Sequence, residues 1–215
     1  MRIIKMNIAL RNVMILGLIT SCLAACATTV IEGPGMTATF NNTIKGKAIS
    51  VESAVTSNGT RFPNPGGLSP DSQPIFNGKI MLPRGATMGA APDGRQLPEW
   101  VEFEWKETLH PYSEPPSVPE AYAAWSDAIR KHYQSLPIKT ERVAVRERIP
   151  QSVIDEVMES NRQRKTGKVS EKMLWVYFIW YERGIKFRWE LQKGCCDVIQ
   201  AGGDEIDGLV RVGNS

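Results

Sequence analysis

Four cysteines and two histidines are the side chains of this 215-residue sequence best suited to chemistry, and their spacing limits what that chemistry can be. Cys195 and Cys196 are adjacent. Such a pair can close a strained disulfide ring, bind a soft metal as thiolates, or stand as two thiols on opposite faces of a strand. No CxxC repeat or neighbouring histidine accompanies them, which leaves zinc the weakest of these readings. His110 lies in a proline-rich stretch and His132 within an expected helix, neither at a recognisable spacing from a nucleophile or carboxylate. No Gly-x-Ser-x-Gly elbow, His-Glu-x-x-His, phosphate-binding loop or dinucleotide fingerprint occurs. The carboxylate pairs Glu102/Glu104 and Asp204/Glu205 read as a solvent-facing strand and a polar tail. The expectation is a protein that is not an enzyme and carries no metal or cofactor.

Cys26 offers a different chemistry, lipidation. Leu23-Ala24-Ala25-Cys26 follows a basic start (Arg2, Lys5, Arg11) and an apolar run from Val13 to Leu18, the pattern of a bacterial lipoprotein signal. The run is too short to span a bilayer. Cleavage before Cys26 makes it the acylated first residue, and at about 0.8 kcal/mol per buried methylene several acyl chains hold effectively permanently. Asp is absent at Ala27, as in lipoproteins sorted to the outer membrane of Gram-negative bacteria, so the expected location is its periplasmic face. Residues 1 to 25 hold three basic side chains and no acidic one, so the formal charge of +3 falls to zero on cleavage. A neutral domain has no global field to gather nucleic acid.

The elements that must position any site follow from periodicity. Residues 26 to 45, rich in Thr, Gly and Asn, read as the lipidated cysteine and a flexible tether, and residues 46 to 215 as one periplasmic domain. Lys47 to Ser57 alternates as a strand, with a turn at Ser57-Asn58-Gly59-Thr60. Pro63 to Pro98 is dense in Pro and Gly, with a short strand near Lys79 to Leu82. It reads equally as a partner-facing surface and as an insertion without a partner. Trp100 to Glu107 alternates with Val101, Phe103 and Trp105 inward. Ser117 to Gln134 has helical spacing, with Tyr122, Trp125, Ile129 and Tyr133 as a stripe expected to face the core. Glu141 to Arg148 reads as a strand, and Pro150 opens a helix to about Ser160 buried through Val153, Ile154, Val157 and Met158. Arg162, Arg164, Lys165 and Lys168 then form a basic helix exit. Met173 to Tyr181, almost wholly apolar, is a strand covered on both faces, turning at Glu182-Arg183-Gly184 into the alternating run Ile185 to Gln192. The fold class is α+β, a mainly antiparallel sheet or sandwich with two helices.

Leu97-Pro98-Glu99-Trp100-Val101-Glu102-Phe103-Glu104-Trp105, Arg142 to Ile149 with Pro150 opening a helix, and the late hairpin Leu174 to Leu191 resemble the Gram-negative lipoproteins catalogued as domain of unknown function 2931. Lipoproteins of this kind are found beside phospholipase effectors of the type VI secretion system, where some act as periplasmic immunity proteins. The resemblance implies a membrane-anchored binding protein whose partner is a secreted, lipase-like effector. The alternative is a structural or assembly lipoprotein of the envelope.

Overall fold

The computed structural model describes residues 33–70, 75–76, 79–80, 86–88, 96–109, 115–163, 170–194 and 197–206. Their architecture is two mainly antiparallel sheets enclosing one apolar core, with two helices added. The four-stranded sheet has the order β3 (Gly67–Leu68), β2 (Lys47–Thr56), β7 (Trp100–Leu109) and β8 (Lys139–Ala144). The five-stranded sheet runs β11 (Asp197–Gly203), β10 (Gly184–Lys193), β9 (Lys172–Tyr181), β1 (Thr37–Asn42) and β6 (Ala86–Met88). A separate pair joins β4 (Ile75–Phe76) to β5 (Lys79–Ile80), so the short strand expected near Lys79 is present.

The alternation of the sequence explains most of this. Val101, Phe103 and Trp105 of β7 are buried, and opposite them stand Val176, Phe178 and Trp180 of β9 with Phe187 of β10. Phe178 is the hub of the contact between sheets: its ring centroid lies 4.9 Å from Phe103, 5.6 Å from Phe62 and Phe187, and 5.8 Å from Phe40. Edge-to-face and offset pairs of this kind contribute about 0.5–1.5 kcal/mol each beyond the area they bury. Helix α2 (Gln151–Arg162) starts after Pro150, whose fixed φ suits a helix start, and adds Val153, Ile154 and Val157 to the same core.

Three expectations are corrected. Residues 37–42 form β1, every residue of which is buried, so the tether does not extend to 45 and the folded domain begins before residue 46. The compact unit covers Glu32–Ser215. β1 pairs in parallel with β9, Ala38 beside Val176 and Phe40 beside Phe178. Its sequence hid it, because only Ala38 and Phe40 are apolar and the Thr and Asn residues around them, which look solvent-facing, are buried as well. Asn42 ends it usefully: its amide nitrogen donates to the Lys47 carbonyl at 2.7 Å, and its oxygen accepts from the Ile44 N–H at 3.0 Å, closing the turn to β2.

The strand expected from Glu141 to Arg148 ends at Ala144, and Arg146–Arg148 is a single tight 3-10 turn. Helix α1 (Pro119–Ser135) is present but contains no buried residue, against the expectation of a core-facing stripe. The reason is the surface beneath it. Tyr133 lies over the polar outer face of β2 and β7, where its hydroxyl donates to Ser50 Oγ at 2.7 Å and also bonds Glu52. Lys106 donates from Nζ to the Tyr133 carbonyl at 3.1 Å and sits 4.6 Å from the Tyr133 ring centroid.

Candidate binding surface

Most of the residues singled out for chemistry fall outside the structural description. Cys26, His110, Cys195 and Cys196 lie outside the described residues, as do Arg164, Lys165 and Lys168. His132 is exposed near the end of α1, where its carbonyl accepts from Ser135 Oγ at 2.7 Å. Arg162 pairs with Glu159 one turn back, as an ordinary helix exit does. Glu102 pairs with Arg142, whose guanidinium lies 3.8 Å from the Trp100 ring centroid, and Glu104 accepts from Ser53. Those two carboxylates are solvent-facing strand residues, as read.

Asp204 is more than part of a polar tail. Beyond Arg188, β11 no longer pairs with β10, so the N–H groups of Ile185 and Phe187 need other acceptors. Two carboxylates supply them: Glu141 of β8 accepts from Ile185 at 3.0 Å, and Asp204 accepts from Phe187 at 2.8 Å while its own N–H donates to the Phe187 carbonyl at 2.8 Å. Arg148 bonds Asp204 and stacks over the Phe187 ring at 5.1 Å. The seam is thus clasped by Glu141 from the four-stranded sheet and by Asp204 following β11. Gly184 beside it has φ +124°, a backbone conformation that L side chains rarely adopt, and a Cβ there would also push the Glu141 carboxylate aside.

The two carboxyls shift in opposite directions. Burial, with the nearby Asp204 charge adding to it, pushes Glu141 above the ordinary carboxylate value although the Ile185 N–H opposes it. Burial acts on Asp204 too, but the Phe187 N–H and Arg148 outweigh it and hold the carboxyl below its usual value. Asp204 therefore contributes stability above its unfolded value, about pH 3.9, and loses it as pH falls through the depressed folded value. Asp204→Ala is expected to cost about 2 kcal/mol, the order for a buried donor left bare and a charged hydrogen bond lost. Urea unfolding at pH 7 checks this, and the gap from wild type should narrow below roughly pH 4.

Two surfaces remain as candidates. On the outer face of the five-stranded sheet, Tyr177 donates to Glu190 at 2.7 Å, and Gln192 donates to Glu190 at 2.8 Å. Beside them Thr39 Oγ1 and both amide atoms of Asn41 are buried without a hydrogen-bond partner. That face is closed: Thr39 and Tyr177 are 0 % and 5 % exposed. A crevice beside α2, lined by Pro34, Val157, Asn161 and Leu174 among others, holds about 10 Å³, room for one water.

The second surface is open. Of five large hydrophobic side chains exposed among the described residues, four (Leu109, Val118, Tyr122 and Ile138) lie on the stretch from the end of β7 through α1 to the start of β8. Tyr122 and Trp125 form an aromatic pair 5.4 Å apart on α1. At the root of this stretch Glu107 accepts from Lys47 at 3.1 Å and from Lys139 at 2.5 Å. Burial raises the Glu107 carboxyl, but the two lysines overcome it, and the group stays below its usual value. Lys47 is raised by the same bond.

Clusters of exposed apolar side chains with a polar rim mark protein contacts. Helix α1 rises about 25 Å from Pro119 to Ser135, so Val118 and Tyr122 belong to its far end, and Leu109 and Ile138, at the ends of β7 and β8 beside the two lysines, are the apolar side chains best placed for binding. The sequence points elsewhere: helical spacing puts the aromatic stripe of α1 on the core, and the Pro/Gly-rich segment, much of which lies outside the described residues, reads equally as a partner-facing surface and as an insertion without a partner. Comparison with protein-family models, with curated proteins and with solved structures gives no match. Among the described residues no helix is long and apolar enough to cross a membrane, and no three His, Cys, Asp or Glu side chains gather as a metal site.

Proposed function

We propose that this chain is a lipid-anchored, non-catalytic binding protein of the bacterial envelope, and that its partner is a secreted lipase-like effector which it neutralises. The observation that carries the binding reading is that four of the five large hydrophobic side chains exposed among the described residues, Leu109, Val118, Tyr122 and Ile138, fall between the end of β7 and the start of β8. Tyr and aliphatic anchors of this kind, surrounded by charged groups, are what a protein interface buries at its centre. The signal ending in Cys26 supports the anchor and the outer-membrane address, and the resemblance to the immunity-associated lipoproteins supports the class of partner. Neutralisation needs only a stable scaffold and a surface that blocks the lipase.

The expected result is that cells producing the intact chain survive the effector, and that the detergent-solubilised chain retains it at one-to-one stoichiometry. A chain that gives no protection and retains only other envelope proteins would instead be an assembly lipoprotein.

A further inference from the structure

We propose that the end of the sandwich formed by Lys47, Leu109, Ile138 and Lys139 docks an acidic protein segment that carries an apolar side chain. This rests on the binding-protein reading and adds the location and the partner's chemistry.

Strand direction gives the orientation. The chain enters β1 at Thr37, beside Trp175, and leaves it at Asn42, beside Trp180. Lys47 begins the next strand and pairs with Leu109, so both lie at the exit end of β1. The β9–β10 turn stands at this end too, because Trp180 lies beside Asn42.

Charge order gives the partner's chemistry. The side chain of Glu107 is 14 % exposed, whereas those of Lys47 and Lys139 are 38 % and 46 % exposed. The carboxylate lies beneath and the two ammonium groups reach solvent, so the outward face is cationic. Lys45 in the β1–β2 turn and Arg183 in the β9–β10 turn add exposed positive charge at the same end, against Glu182. Leu109 and Ile138, at 73 % and 57 % exposure, are the apolar part of this end. Lysines already held by a shared carboxylate lose less freedom on binding than free ones, which favours them as contact residues. An acidic segment with one apolar side chain satisfies both halves: its carboxylates meet the ammoniums, and its apolar group covers Leu109 or Ile138.

The test uses the full-length chain in mild detergent and the lipase-like effector that it retains. Leu109→Ser with Ile138→Ser, both exposed and without a folding role, is expected to weaken binding at least about tenfold, equal to about 1.4 kcal/mol. Lys47→Gln with Lys139→Gln is expected to slow association and to flatten its dependence on salt between about 0.05 and 0.5 M. Hydrogen-exchange protection on the effector should fall on a segment containing Asp or Glu. If the effector is retained but both double variants bind as wild type does, or protection falls on a basic segment, the inference is overturned while the binding reading stands. If only anionic phosphatidylglycerol vesicles respond to the variants, the surface is a lipid contact and the inference fails. If no effector is retained, the binding reading fails and this inference with it.

Discussion

Phe178→Ala is expected to leave too little stability for a folded domain at 37 °C. Phe178 is fully buried and its ring meets four others, from Phe40 on β1, Phe62 after β2, Phe103 on β7 and Phe187 on β10. It therefore touches both sheets at once. Truncating a buried Phe costs about 3–5 kcal/mol, part of it lost transfer energy and part the cavity that remains. The cavity cannot collapse here, because its walls are backbone-paired strands on both sides. Domains have only about 5–15 kcal/mol in total, so the loss is a large share. Urea unfolding followed by tryptophan fluorescence checks the value. Phe178→Leu, which keeps most of the volume, should lose clearly less. Equal loss in the two variants would show that the aromatic contacts matter and the cavity does not.

Cys26→Ser is expected to move the protein from the membrane fraction to the soluble fraction without changing its fold. On the proposed lipoprotein reading, several acyl chains at about 0.8 kcal/mol per buried methylene would make the wild-type attachment effectively irreversible, whereas a serine would accept none of them. The buried core residues of the described fold begin at Ala38, so the substitution replaces none of them. Fractionation of cells, with thermal unfolding of the released protein as the control for folding, separates the two effects. A variant that stays in the membrane would mean that another feature holds it there. Combined with the protection assay, the same variant asks whether the anchor is needed for neutralisation or only for location.

Elements whose burial alternates simply were legible. Val101, Phe103 and Trp105 face inward as the spacing requires, Val153, Ile154 and Val157 make the buried side of α2, and the hairpin from Met173 to Gln192 turns at Glu182-Arg183. In each, local periodicity and tertiary burial agree, which is the ordinary condition of a foldable sequence. β1 was not legible, because its Thr and Asn residues are buried by neighbours far away in sequence. The aromatic stripe of α1 misled for the opposite reason. Helical spacing reveals that one side is apolar, but it does not reveal whether a core, a polar sheet or a partner will cover it.

The site shows the same division more sharply. Asp204 and Glu141 are 63 residues apart in sequence, and only the approach of β10 to β8 makes them acceptors for neighbouring N–H groups of one strand. Lys47, Glu107 and Lys139 likewise have no common motif. Strand register alone puts both ammoniums on one carboxylate.

The amino-acid sequence by itself determined the strands with clean alternation, the two helices and the α+β class. These depend on periodicity or on contiguous residues, which are local properties. Tertiary structure alone decided that β1 is a buried central strand, that α1 lies exposed on a polar sheet, and that Lys47, Leu109, Ile138 and Lys139 share one end. Each of these depends on which distant strands pair and in what register, and long-range pairing is set by the whole core rather than by any segment of it.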